Sequence, residues 1–245
     1  MSLTLAPRPD VDRLAAQFAA AGAVSVPGFL SADSAAGLAA ELQANDSWVE
    51  IFRAGEKVYE MAHRDYQAMP EPQKGELRRM VEDAAKTGLQ YRYRAIRVSE
   101  DPVERASRAL LLDAFADLLN TPHAQALMRA ITASRKIAFA DAQATDYRAG
   151  DFLTDHDDGV EGKGRVAAYV FGLTTGWQAD WGGLLLFDND QEVSGFIPDF
   201  NVLRVFAVPR SHHVSYVAPW VTARRLSVTG WLRSGSPEAA AQSGS

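Results

Sequence analysis

The chain contains no cysteine. Disulfides, iron–sulfur clusters, thiolate zinc sites and a cysteine nucleophile are therefore excluded, and a bound metal must take imidazole and carboxylate ligands, the donors of iron, manganese or zinc sites. Histidine is scarce, with five in 245 residues. No apolar run reaches the roughly 18 residues of a membrane-spanning helix. A basic excess is missing too: the net charge is −6, which argues against a nucleic-acid partner held by phosphate neutralisation. The opening MSLTLAPRPDVDRL lacks a basic segment followed by an apolar run, so no signal peptide is expected. These absences predict a cytoplasmic protein with no membrane and no direct nucleic-acid partner. Its composition, 47% hydrophobic and 23% charged, is that of a soluble globular chain.

The first half reads as helical. VDRLAAQFAAAG places Val11, Leu14, Ala15 and Phe18 on one face and stops at Gly22. AVSVPGFL (23–30) alternates like a short strand. SADSAAGLAAELQAN (31–45) predicts a helix capped by Ser31 or Asp33. Residues 46–75 are mixed. Further helices are predicted over 71–88, over 102–120 and over 121–133, the last with Thr121 as cap and Pro122 at its first position. From about residue 135 the text becomes short β-rich runs separated by Gly, Asp, Asn and Pro turns. Helices first and strands second, without βαβ alternation, is the α+β pattern. One catalytic domain over 1–245 is expected: mainly helical support in 10–134, a β unit in 135–233 and a disordered tail in 234–245.

The stretch FLTDHDDG (152–159) holds one of the five histidines among three aspartates. On an extended strand end, side chains two apart point the same way, so His156 and Asp158 can bind one ion while Asp157 faces away. The same residues also suit a solvated turn. A third ligand must come from elsewhere, and PRSHHVSYV (209–217) offers two histidines. Alternation puts His212, Val214 and Tyr216 on the slightly more apolar face, which favours His212 over His213 as the inward residue. Two histidines and a carboxylate with open positions form the facial triad of non-haem Fe(II) oxygenases.

RRLSVTGWLRS supplies an independent test. Arg225, Ser227, Thr229 and Trp231 share one face; Arg224, Leu226, Val228 and Gly230 share the other. Leu226 and Val228 suit packing under a helix layer. An inward Arg225 is costly unless it meets an anion, and the small hydroxyl residues beyond it leave room for one. Guanidinium grips carboxylate in a bidentate fork. A structural Asp or Glu could satisfy Arg225 equally, and Arg224 is expected to snorkel to solvent.

The succession Y-x-x-G-D-F-L-x-x-H-x-D, W-G-G-x-L-x-F, H-x-V-x-x-V and R-x-S-x-T-G-W resembles the 2-oxoglutarate- and Fe(II)-dependent dioxygenases. Within them it is similar to the prolyl-hydroxylase-like group, near the branch that hydroxylates a ribosomal-protein proline. The resemblance covers roughly 135–233, and VSVPGFLS near the N-terminus is similar to the first segment of these enzymes. It implies a double-stranded β-helix, a jelly-roll barrel buttressed by N-terminal helices. It implies Fe(2+) held by His156, Asp158 and His212, and 2-oxoglutarate held at its distal carboxylate by Arg225, with Thr229 beside it and Tyr147 lining the cosubstrate pocket. Ascorbate is an optional reductant. Trp181 and Trp231 would wall the substrate side, although large aromatics are equally at home in a core. Relatives with a second C-terminal barrel exist; one barrel is expected here.

The resemblance implies hydroxylation with release of succinate and CO2, on a prolyl residue of a protein. The same chemistry on a free amino acid or another small molecule is the alternative. A metal-binding jelly-roll module without turnover is a third reading, and an inward Arg225 argues against it. Zinc hydrolysis lacks the general base of an H-E-x-x-H helix. Oligomeric state is not legible. The substrate loops are expected within 46–101, in RAGEKVYEMAHRDY and GLQYRYRAIRVSE; QYRYRAIR suits either an acidic partner or a strand with solvated arginines.

Overall fold

Helices packed against one side of a curled antiparallel sheet are what the computed structural model shows; it describes residues 3–189 and 191–235. Helix α1 (Val11–Ala21) leads to strand β1 (Ala23–Pro27) and helix α2 (Ala32–Ala44). A hairpin, β2 (Val49–Ala54) and β3 (Lys57–Ala62), precedes α3 (His63–Ala68), α4 (Glu71–Ala84) and β4 (Tyr91–Arg97). Helices α5 (Pro102–Arg108), α6 (Leu111–Leu119) and α7 (Pro122–Thr132) complete the helical half. Then come β5 (Phe139–Ala140), β6 (Gln143–Tyr147), β7 (Phe152–His156), β8 (Arg165–Leu173), β9 (Leu185–Asn189), β10 (Glu192–Phe196), β11 (Phe200–Ala207), β12 (His212–Val214) and β13 (Arg225–Arg233). The expected tail falls almost wholly outside the described residues. No helix among the described residues is long and apolar enough to cross a membrane.

The caps follow local chemistry. Ser31, not Asp33, caps α2, its hydroxyl accepting from the Ser34 N–H. Thr121 caps α7 in the same way, with Pro122 first in the helix. The single helix expected over 102–120 is two. Ala109 turns left-handed (φ 52°) and closes α5. The start of α6 is capped by a residue far away: both Glu41 carboxylate oxygens accept from the Leu111 and Leu112 N–H groups, at 2.7 and 3.0 Å. A carboxylate there satisfies orphan donors and complements the helix dipole. The break is therefore fixed by α2 rather than by the segment itself.

The sheet runs β1-β11-β8-β13-β6 on one side and β7-β12-β9-β10 on the other, with β4 joining them. Every pairing is antiparallel, which gives the curled double-stranded β-helix. The segment QYRYRAIR becomes β4. One edge of β4 pairs with β2, and the other pairs end to end with β6 and β7. The main core lies between the first sheet and the helices. Leu14, Leu38, Leu42, Phe115 and Ile131 meet Phe171, Leu203, Val205, Leu226 and Val228 there. Each such side chain contributes about 1.5–3 kcal/mol on burial. As alternation predicted, Leu226 and Val228 face the helices, so Arg225 and Thr229 face the interior of the barrel.

Candidate active site

A cavity of about 310 Å³ opens inside the barrel. His156, Asp158, His212, Arg225, Thr229, Tyr147 and Trp231 all line it.

His156 and His212 face each other across paired strands β7 and β12, ring centroids 4.2 Å apart. Asp158 reaches them with separate oxygens: Oδ1 lies 3.6 Å from His156 Nε2 and Oδ2 lies 3.5 Å from His212 Nε2. One ligand atom from each residue falls within 4.8 Å of the others. Each ring is oriented from behind. The Nδ1–H of His156 donates to the Thr154 carbonyl (3.1 Å) and that of His212 to the Arg210 carbonyl (2.7 Å), so both Nε2 lone pairs point at the shared space. Burial, reinforced by the neighbouring His156 ring, lowers the His212 pKa and so favours its neutral imidazole. A neutral imidazole is the form that ligates a metal.

The convergence is not reached by strand alternation alone. Strand β7 ends at His156, and Asp158 lies beyond it in the left-handed region (φ 61°). The β7/β12 pairing also shifts register between His212 and Val214. Leu153 and His156 consequently both line the cavity. His213 points through the sheet to the opposite side, toward Asp188 at 3.5 Å. Tyr216 leaves the face predicted for it, because β12 ends at Val214; its ring stacks on Phe152, at 5.8 Å between centroids.

Arg225 is 4% exposed. Among the described residues no carboxylate comes within 4.0 Å of it. Its guanidinium carbon lies 4.8 Å from the Tyr147 ring centroid. Burial lowers the pKa of Arg225, partly offset by Tyr147, and burial raises that of Tyr147 well above a phenol's ordinary value. A guanidinium does not deprotonate in a protein, so this is a buried cation facing open space. The W-G-G turn makes room for it. Gly182 and Gly183 both have positive φ, and a Cβ on Gly183 would stand 3.4 Å from Arg225 Cδ. Trp177 holds the turn by donating its indole N–H to the Gly182 carbonyl at 2.8 Å.

Trp231 lines the cavity; Trp181 does not, and packs instead edge-on against Trp177 at 5.3 Å. Several lining residues were not singled out from the sequence. Arg165 stacks over Trp231 at 3.6 Å and lies 3.6 Å from Asp158 Oδ1. Tyr93 stacks on Tyr147 at 5.3 Å, and Tyr91 follows at 5.6 Å. Burial pushes the Tyr93 phenol up to about 12. Alternation in YRYRAIR was the available signal for the tyrosines.

No curated protein sequence matches the chain. In structure it is similar to a Pseudomonas putida prolyl-4-hydroxylase, with 22% identity over 93% of this chain and 100% of that one, TM-score 0.58. It is also similar to a Trichoplax adhaerens prolyl hydroxylase in complex with a hypoxia inducible factor oxygen degradation domain peptide fragment, with 14% identity over 96% and 93% of the two chains, TM-score 0.57. A third similar structure is the non-heme alpha ketoglutarate dependent epimerase SnoN from nogalamycin biosynthesis, with 15% identity over 95% and 89%, TM-score 0.55. At such identities these likenesses establish the fold. Residues 142–233, which carry both histidines, Asp158 and Arg225, match the 2OG-Fe(II) oxygenase superfamily. That segment is similar to the superfamily, whose members use Fe(II) and 2-oxoglutarate.

Proposed function

We propose that the chain is a hydroxylase of a prolyl residue in a protein, with His156, Asp158 and His212 holding Fe(II) and Arg225 holding 2-oxoglutarate. The observation that carries this reading is Arg225: a buried cation, facing the cavity, with no carboxylate partner among the described residues. A structural arginine at that depth needs an internal anion; this one needs a bound one. The donor set fits the metal as well. Two imidazoles and one carboxylate are the ligands of a non-haem Fe(II) site with open positions, and their spacing here suits one shared ion.

When bound, iron and cosubstrate supply the oxidation: 2-oxoglutarate, O2 and a substrate C–H become succinate, CO2 and C–OH. The chain's own residues bind and orient. Arg225 anchors the distal carboxylate in a bidentate fork, with Thr229 and Tyr147 beside it. Tyr147, Tyr93, Leu153 and Val214 keep that end apolar. Trp231, held by Arg165, walls the substrate side, a role for which Trp181 is out of place.

The prolyl substrate is supported by the likeness to two enzymes named as prolyl hydroxylases. The likeness to SnoN, crystallised with Fe3+, alpha ketoglutarate and nogalamycin RO, favours a small molecule as the second reading.

Anaerobic titration with Fe(II) and then 2-oxoglutarate tests the site. A visible charge-transfer band is expected in the wild type and absent in His156→Ala. In Arg225→Ala it should need at least about a hundredfold more 2-oxoglutarate, since losing one end of a buried charge pair costs about 3–5 kcal/mol. Iron bound without a band would overturn the cosubstrate assignment. Aerobic turnover of prolyl peptides against free proline then decides between the two substrates.

A further inference from the structure

The cavity walls carry three guanidinium groups, Arg53, Arg165 and Arg225, and one carboxylate, Asp158. In a chain of net charge −6 this is a local reversal of sign. On the reading above, Asp158 and a divalent iron on one side and the two carboxylates of 2-oxoglutarate with Arg225 on the other leave two cations over. Arg165 is occupied: it lies along the Trp231 ring, and its Nη1 donates to the Asp158 carbonyl at 3.1 Å. Arg53 is not. It stands on β2 directly across from Tyr91 of β4, on the face shared with Tyr93. Its Nε donates to the Gly55 carbonyl at 2.9 Å, which fixes the head group against its own hairpin turn. Among the described residues no carboxylate lies within 4.0 Å of its head group. Farther along β4, outside the cavity, Arg97 is neutralised by Glu60 in a two-point fork, at 2.8 and 2.5 Å.

We infer that Arg53 is a specificity-determining residue that receives a carboxylate of the substrate at the cavity mouth, so that the substrate is acidic next to the carbon being hydroxylated. The inference rests on the proposed hydroxylase reading and adds the charge of its substrate. The hairpin turn holds the guanidinium in place, so little freedom is lost when a carboxylate docks. Tyr91 and Tyr93 beside it offer flat apolar surface to the chain or ring that bears the charge. Arg53 reaches neither iron nor 2-oxoglutarate by this assignment; it selects and positions.

The carboxylate has two possible sources: an Asp or Glu side chain near the target proline of a peptide, or the α-carboxylate of a free imino acid. The test is calorimetric titration under argon of the protein loaded with Fe(II) and 2-oxoglutarate. The probes are proline-centred dodecapeptides with one Glu at each position from three before to three after the proline, their Gln counterparts, their Lys counterparts, and free L-proline beside L-prolinamide. At least one Glu peptide, or L-proline over L-prolinamide, should bind tenfold or more tightly than its neutral counterpart. Arg53→Gln should abolish that preference, and Arg53→Glu should transfer it to the Lys peptide at the same position. Which probe responds identifies the source. Equal binding of charged and neutral probes, no binding of any carboxylate probe, or a preference that survives Arg53→Gln would overturn the inference. The visible band of bound 2-oxoglutarate separates this failure from the other. A band unchanged in Arg53→Gln keeps the hydroxylase reading intact while the charge assignment falls; a missing wild-type band removes both.

Discussion

Arg224 and Arg225 follow one another at the start of β13 and point to opposite faces of the sheet. On the helix side, Arg224 Nε donates to Asp146 at 2.9 Å. Arg94 takes the same carboxylate, and Arg148 stands 3.4 Å from it. Asp146 is fully buried, and both Arg94 and Arg224 lie near the Trp48 ring. On the cavity side, Arg225 has the Tyr147 ring and no carboxylate among the described residues. Burial of an arginine is thus no signature of function. The difference is where the anion comes from: the fold supplies it at Arg224 and a ligand must bring it to Arg225. The first arrangement stabilises the protein continuously; the second leaves a cost in the free protein that binding removes.

The sharpest way to break this comparison is to remove each anion in turn. Asp146→Ala leaves the arginines clustered without a counter-charge and is expected to cost about 3–5 kcal/mol in urea-induced unfolding. Arg225→Ala should leave the stability of the free protein level or higher. If Arg225→Ala proves as destabilising as Asp146→Ala, Arg225 has an internal partner and its assignment fails. Next in size is ligand-induced stabilisation. Saturating Mn(II) and 2-oxoglutarate at about a hundred times Kd should stabilise the wild type by about 2.7 kcal/mol, read as a rise in Tm that Arg225→Ala loses at the same concentration.

The helix-side cluster also predicts a pH effect. Burial, assisted by the Asp151 charge and opposed by Arg92 and Arg148, pushes Glu50 up to about 8. His63 Nδ1 lies 2.5 Å from it. The unfolded chain releases this proton near the ordinary carboxylate range, so between the two values the folded state holds a proton that the unfolded state lacks. Stability therefore falls as pH rises through that window, by at most about 1.4 kcal/mol per pH unit. Glu50→Gln should flatten the fall, and denaturation midpoints from pH 5 to 8 measure it. The smallest expected effect is at His213. Turned away from the cavity toward Asp188, it should change iron affinity less than threefold when replaced by Ala, whereas His212→Ala abolishes tight binding. A large loss at His213 would reverse the choice between the two histidines.

The same contrast explains what could be read from the sequence. A strand that separates a helix layer from a cavity writes both environments into its alternation, so Leu226 and Val228 against Arg225 and Thr229 were legible. His212 over His213 followed from the same period. Asp158 was located for an incomplete reason: its place depends on a left-handed turn after β7 and on a shifted register, and neither leaves a periodic trace. Arg224 was expected in solvent because its partner, Asp146, is 78 residues away in the chain. Of the two readings open for QYRYRAIR, solvated arginines do not describe Arg94, buried against Asp146, or Arg92, which pairs with Asp151 at 2.7 Å. The break before α6 depends on Glu41 for the same reason. Long-range partners, rather than local propensity, account for these differences.

Strand β4 has a consequence in time. It bridges the two halves of the barrel, with β6 and β7 laid end to end along one edge, and its Arg94 meets Asp146 across 52 residues of chain. During synthesis β4 emerges well before either partner and can pair only with the β2 hairpin. The helical layer draws its helix–helix contacts from the first half of the chain, α1 against α7 and α2 against α6, and can condense once α7 has emerged, whereas the cavity closes only when β6, β7, β12 and β13 have all arrived. Loop closure of that length is expected to make barrel completion the slow step of folding. A metal site assembled from β7, β12 and the turn beyond β7 would then be among the last parts of the molecule to exist, and iron a ligand of the finished fold rather than a nucleus for it.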